Sequence, residues 1–412
     1  MLSPIFQLVY IISIATICQL IAWRIGIPSI MLLLVMGIIS GPVLELISPD
    51  VLFGPTLLSL VELAVAVILF EGGLSLKTTE LGLVKKPVSR LITIGAILTW
   101  ILLSSIAYFV LDLQLAVATL LAAILTVTGP TVVIPLLRTI RAKTPLEPIL
   151  RWEGILIDPI GVLLAILVAE IAITGIGINS PWKFVSGMSV SLIVGGVLGW
   201  GGASILKFSI GRHRISDHFI VPVCFSTLFI FVLLSNLIHE QSGLLTSTVM
   251  GMIVARSKGQ WVHTLEDFIG NTQRMFIGIL FIALAARLNP EYIKHLDYKL
   301  MLFIALAILV VRPLAVFIST IGTSLNWKEK FAIGSVAPRG IVSAALASSL
   351  GSSLIDSNII GIEVIVPYTF ATIIFTVTFY SLFSALVLKF LKLQIKASEG
   401  VLFVSAGKIP LE

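Results

Sequence analysis

This sequence is poor in charge. Only 12% of its 412 residues are Asp, Glu, Lys or Arg, against 58% that are apolar, well outside the balance that keeps a soluble domain in water. The mean hydropathy of +1.11 excludes a soluble globular chain and leaves an integral membrane protein. Cysteine is almost absent: Cys18 and Cys224 both lie inside apolar segments, which fits packing rather than a disulfide or a metal pair. No Lys or Arg precedes Arg24, so the apolar start lacks the basic end of a cleavable signal and is expected to stay as the first membrane segment.

What is present is apolar sequence in runs long enough to cross a bilayer, about 20 residues each. Thirteen can be marked, near 4–22, 27–44, 55–75, 90–111, 114–138, 147–174, 186–206, 217–237, 243–256, 272–288, 299–321, 331–350 and 364–390. The formal net charge of +6 does not point to nucleic acid, because the basic residues alternate between loops. Lys77, Lys85, Lys86 and Arg90, then Arg138, Arg141, Lys143 and Arg151, then Lys207, Arg212 and Arg214 fall on one side. Lys183, Arg287, Lys294 and Lys299 fall on the other. The positive-inside rule then predicts an outer N-terminus and a cytoplasmic C-terminus. Arg312 and Arg339 are left over, both inside apolar segments.

The chain also resembles itself. LLLVMGII at 32–39 aligns with TSTVMGMI at 246–253, and ILF at 68–70 with ILF at 279–281. The segments starting at Arg90 and Lys299 align, as do AILTVTGPTVV from Ala123 and AIGSVAPRGIV from Ala332. Four matches in order, at nearly constant offset, predict two six-helix repeats joined by the seventh segment. A shift of seven segments inverts the second copy in the bilayer, the arrangement that supports alternating access. The expected fold is therefore an all-α, polytopic membrane protein of thirteen helices.

Two of the matching segments carry helix breakers at corresponding depth. One holds Thr128-Gly129-Pro130-Thr131, the other Ala337-Pro338-Arg339-Gly340. Each proline removes a hydrogen bond to the carbonyl four residues back, and freed backbone is tolerated in mid-membrane only where protein or a hydrated cavity satisfies it. Paired breaks predict a site at the bilayer midplane.

Beside them, RWEGILIDPIGVLLA at 151–165 sets Asp158 in a run with almost nothing to hydrate it. A charge at that depth costs about 2.5–3.5 kcal/mol even on the permissive insertion scale. Gly154 and Gly161, one helical turn to either side, leave its face bare enough to admit water or an ion, and Pro159 frees the carbonyl of Ile155. Glu153 lies about 140° around the helix and is expected to pair with the buried Arg339. Asp158 is then left without a permanent cation, able to hold a proton or a desolvated monovalent cation but not both. The alternative is a structural Asp158–Arg339 bridge with Glu153 facing the cytoplasm.

At these residues the chain resembles the monovalent cation:proton antiporters, in particular the bacterial sodium/proton exchangers that are similar to the animal exchangers. The resemblance rests on FEGGLSL (70–76), TVTGPTVV (126–133), EGILIDPIG (153–161), GLLTSTVMGMIVA (243–255) and APRGIVSAALA (337–347). It implies a transmembrane unit over 1–396, with a core domain (about 90–174 and 299–390) moving against a dimerisation domain (about 4–75 and 186–288) in a homodimer of the plasma membrane. It also implies that the two broken helices cross beside Asp158, and that Asp158 takes cation and proton in turn. Glu71, Thr128 and Thr131 would then add oxygen ligands around the space at Gly154, with Glu153 and Arg339 as a structural ion pair. No cofactor is implied beyond the transported sodium or potassium and protons. Three positions depart from the family pattern: Ile157 where asparagine is usual, Gly129 where aspartate is usual and Gly154 where serine is common. Loss of these polar groups fits either relaxed selectivity toward potassium or lower affinity.

Other readings remain open at this point. A cation channel or ion-gated sensor on the same scaffold is the alternative to an exchanger. An intramembrane enzyme finds little support: His239-Glu240 opens like a zinc-protease motif, but Gly243 stands where the second histidine belongs. Residues 397–412, with VLFVSA and Gly407, are expected to form a cytoplasmic tail, and could begin a nucleotide-binding regulatory domain.

Overall fold

The computed structural model describes residues 3–76, 78–129, 132–134, 136–137, 142–174, 181–211, 215–239, 242–257, 259–288, 297–354 and 359–394. The tail at 397–412, read from its VLFVSA run at 401–406 as a strand that could open a further domain, lies outside the described residues. No strand occurs among those described; an isolated antiparallel bridge joins Ala142 to Gln394.

Among the described residues, 132–134 and 136–137 are helical, and seventeen α-helices with defined ends carry the fold. They are α1 Pro4–Ile25, α2 Ser29–Ile38, α3 Pro49–Phe53, α4 Leu57–Leu74, α5 Thr78–Arg90, α6 Ala96–Val110, α7 Leu115–Thr126, α8 Leu146–Thr174, α9 Pro181–Ser209 and α10 Ile220–Ile238. They continue as α11 Ser242–Ala255, α12 Gln260–Ala286, α13 Tyr298–Leu306, α14 Arg312–Ser319, α15 Trp327–Gly334, α16 Ile341–Leu354 and α17 Ile365–Phe390. Local chemistry sets several ends. Ser3 accepts from the Phe6 amide with Pro4 in the first turn, and Gly26, at φ 78°, closes α1 as only glycine does cheaply. Asn326 and Glu329 form a capping box at the start of α15. A π turn at Leu91–Gly95 joins α5 to α6, and another at Ala307–Val311 joins α13 to α14.

Among the described residues, nine helical stretches are long and apolar enough to cross a membrane, and four shorter apolar helices accompany them: Ser29–Val43, Leu115–Thr126, Ser242–Ala255 and Ile341–Gly351. The outer face is apolar, with Trp23, Phe109, Leu237 and Phe390 exposed, the pattern of a chain whose solvent is lipid. Within α8, 67% of the membrane-spanning window is buried, against 28–44% for the other long spans, so α8 runs through the centre. Hydroxyls inside the helices bond back to the carbonyl four residues earlier, as Thr126 does to Ala122 (2.8 Å) and Thr376 to Thr372 (2.7 Å), leaving no bare polar group in lipid.

Glycines set the closest helix crossings. A Cβ on Gly251 of α11 would lie 2.1 Å from the Phe70 carbonyl of α4, and one on Gly73 would lie 2.4 Å from the Thr248 carbonyl. On α2, a Cβ on Gly37 would lie 2.9 Å from the carbonyl of Ile282 on α12. Backbone meets backbone at both crossings, the packing that small residues permit where lipid offers no hydrophobic drive. The helix containing the expected 272–288 segment begins twelve residues earlier, at Gln260, because QWVHTLEDFIGNTQR is polar on one face and escapes a hydropathy window.

Candidate functional site

Two interrupted helices meet beside α8. The first break opens where α7 ends at Thr126: Val127 is extended (φ −64°, ψ 127°) and the chain is non-helical through Gly129. The Gly129 carbonyl then accepts from the amides of Val132 and Val133, restarting the helix. The second break lies between α15 and α16, with residues 335–340 non-helical; it contains Pro338, and Gly340 accepts from Ala344 as α16 begins. Both expected interruptions are thus present at Gly129, Pro338 and Gly340, while Pro130 and Thr131 lie outside the described residues.

The breaks are held together by one side chain. Arg339 of the second donates from Nη1 to the carbonyls of Thr126 (3.2 Å) and Val127 (3.3 Å), which end α7 in the first. Ser343 adds a bond to the Ile124 carbonyl (3.0 Å). A guanidinium at a helix C-terminus satisfies orphan carbonyls and opposes the negative end of the dipole. The second break has its own cap: Arg312, at the start of α14, donates to the carbonyls of Ile333 (3.5 Å) and Val336 (3.4 Å). Ser384 of α17 bonds the Ser335 carbonyl (2.9 Å), and the Arg339 amide donates to Thr376 (3.3 Å).

The expected Glu153–Arg339 pair is corrected here. Glu153 is engaged by Arg312, Nη1 to Oε1 at 2.5 Å and Nη2 to Oε2 at 2.9 Å, a bidentate fork with both partners buried. The reason is position: Arg339 is committed to the end of α7, whereas Arg312 enters beside α8 and can lay its planar donors along a carboxylate. Tyr380 of α17, also buried, lies beside both guanidiniums. Arg312 had no partner in the sequence, and nothing in its spacing from Glu153 singles it out.

Asp158 is fully buried, and neither carboxylate oxygen has a hydrogen-bond partner. Arg339 therefore forms no bridge to it. Its face of α8 meets the first break: Gly161, one turn on, sits where a Cβ would fall 2.3 Å from Val127 Cγ2. Thr128 and Gly154 are buried, Thr128 within that break and Gly154 one turn before Asp158. Glu71, expected as an oxygen ligand, lies on α4. Its Oε1 lies 3.9 Å from where a Cβ on Gly270 of α12 would stand, and it gives Asp158 no hydrogen bond. Its neighbour Gly72 packs near α8, where a Cβ would lie 3.4 Å from Ile155 Cγ1. Among the described residues no three His, Cys, Asp or Glu side chains gather as a metal site.

With this geometry in hand, comparison with known proteins is informative. The family described as transmembrane sodium/hydrogen exchangers matches residues 11–392. Na(+)/H(+) antiporter 1 of Methanocaldococcus jannaschii is 26% identical over 356 residues, covering 82% of this chain and 80% of that protein. The K(+)/H(+) antiporter NhaP of Alkalimonas amylolytica is 25% identical over 350 residues, covering 83% of this chain but 59% of the longer relative. Among solved structures, the sodium proton antiporter MjNhaP1 from Methanocaldococcus jannaschii matches with a TM-score of 0.81 at 23% identity, over 94% of this chain and 98% of that one; this similarity shows the fold.

Proposed function

Since the chain belongs to the transmembrane sodium/hydrogen exchanger family, we propose that it is a secondary antiporter exchanging a monovalent cation, sodium or potassium, for protons, with Asp158 as the carrier. One observation carries this reading: the most buried of the long spans holds a carboxylate with both oxygens unpartnered, beside a helix break, while the two nearby arginines are committed elsewhere. Desolvation makes the bare anion unfavourable, so Asp158 is occupied by a proton or by a cation whose lost hydration the carboxylate and neighbouring oxygens replace. Mutual exclusion at one site couples the two flows. One titratable carrier gives one-for-one, electroneutral exchange. Membership of a transporter family stands against the intramembrane enzyme.

Access to each side in turn requires two bodies that move. The proposed pair is a core of about 90–174 and 299–390, and a dimerisation unit of about 4–75 and 186–288 through which two chains assemble in the plasma membrane. Taking the four short apolar helices as spans beside the nine long ones among the described residues makes thirteen, an odd number that sets the termini on opposite sides; the basic loops then favour an outer N-terminus and a cytoplasmic C-terminus. The inverted repeat has support of its own kind. Gly37 and Gly251 are equivalent positions of the two copies, as are the regions around Ile282 and Phe70. The crossing of Gly37 on Ile282 and the crossing of Gly251 on Phe70 are thus the same contact made reciprocally between the repeats.

Asp158, Glu71, Thr128, Thr131 and the space at Gly154 form the proposed cation site. The apolar Ile157 and the glycines at 129 and 154 remove fixed polar groups, which favours an ion that sheds water easily.

Proteoliposomes with a pH-sensitive dye inside test the reading. Sodium or potassium added outside is expected to drive protons across with the membrane potential clamped, and to produce no net current. A current carried by the cation alone, without proton movement, would favour the channel.

A further inference from the structure

A cavity of about 140 Å³ lies between the two proposed bodies, away from Asp158. The dimerisation side contributes Ser59, Glu62 and Val65 of α4 and Leu244 of α11, and the core contributes Ile166 of α8 and the Val342–Leu350 stretch of α16. Val342, which helps to line it, stands just beyond the second break. Ile166 stands eight residues past Asp158, about 12 Å along the helix axis. In the orientation proposed above, α4 begins and α16 ends at the outer surface, so the cavity occupies the route between the outside and the carrier.

Glu62 is the one titratable side chain among the residues lining it, and it is held ready. Asn236 of α10 donates from Nδ2 to Glu62 Oε1 (2.5 Å), and the Asn236 amide is itself fixed by the Gly243 backbone N–H, which donates to Oδ1 (2.8 Å). The second oxygen, Oε2, is not taken by that bond. A carboxylate whose only task was to anchor Asn236 gains nothing from the boundary where two bodies slide, beside the hydroxyls of Ser59 and Ser349. The space exceeds the roughly 30 Å³ share of a single water, enough for an alkali cation with part of its shell.

We propose that this cavity is the outer access path of the exchanger and that Glu62, with the Ser59 and Ser349 hydroxyls, is a station there for a monovalent cation before it reaches Asp158. The inference rests on the exchanger reading for its role in transport. A negative charge in a narrow, low-dielectric passage raises the local concentration of cations and lowers the external concentration needed for half-saturation.

The test uses the full chain in vesicles of defined orientation. Glu62→Gln keeps the shape and lets the amide oxygen accept from Asn236. It is expected to raise the external half-saturating cation concentration several-fold and leave the internal one unchanged, with Glu62→Asp restoring most of the loss. Equal change on both sides, or none, overturns the station. A second readout needs no transport: Ser349→Cys, in a chain with Cys18 and Cys224 replaced by alanine, is titrated with a cationic thiol reagent from outside. Modification is expected to be slowed by sodium or potassium, and slower still when Glu62→Gln is added. A rate indifferent to both the cation and Glu62, or no labelling from outside, overturns it as well. Inert vesicles with cation-protected labelling would sink the exchanger and spare the station.

Discussion

Asp158→Asn is expected to reduce cation-driven proton movement to the level of protein-free vesicles. The amide fills the same volume in the same buried place, but it can neither release a proton nor neutralise a cation. The fold should be untouched: both Asp158 oxygens are buried without a partner, so no contact is lost and a desolvated group of latent charge becomes neutral. Thermal unfolding of the purified variant is therefore expected at the same temperature or higher. Loss of transport with loss of the folded protein would mean that Asp158 holds the structure together and is no carrier; transport that survives would exclude it from the reaction.

The opposite balance is expected one turn and a half earlier. Glu153→Ala leaves Arg312 buried, charged and uncompensated at the end of α15, a situation that costs about 3–5 kcal/mol when one partner of a buried pair is removed. Adding Arg312→Met should recover part of this, because replacing both members by apolar groups is far cheaper than orphaning one. Recovery should be incomplete, since Arg312 also caps the Ile333 and Val336 carbonyls, and buried orphan acceptors cost about 1–3 kcal/mol. A double-mutant cycle read by chemical denaturation in detergent should therefore give a large Glu153–Arg312 coupling. A coupling of Glu153 with Arg339 instead would contradict the bidentate pair.

The two residues differ in how they could be foreseen. Asp158 stands out in sequence because burial of a carboxylate in an apolar run is a local fact: the neighbours that fail to hydrate it are its own helix neighbours. The breaks are legible for the same reason, since Gly129, Pro338 and Gly340 act on the backbone where they stand. Arg312 against Arg339 is a tertiary choice. Each is a buried arginine in an apolar segment, and which guanidinium meets Glu153 depends on how α14 and α16 pack on α8, which no spacing encodes. The start of α12 was hidden by charge on one helical face, and the cavity at Glu62 exists because four helices from both halves of the chain meet there.

The central claim is that proton and cation cannot occupy Asp158 together, and titrating one against the other tests it most directly. In proteoliposomes at a series of pH values, the cation concentration for half-maximal exchange should rise by about tenfold for each unit of pH lowered once protons fill the site, as mass action requires of two ligands competing for one position. A half-saturating concentration that stays constant across that range would contradict shared occupancy and with it the coupling mechanism.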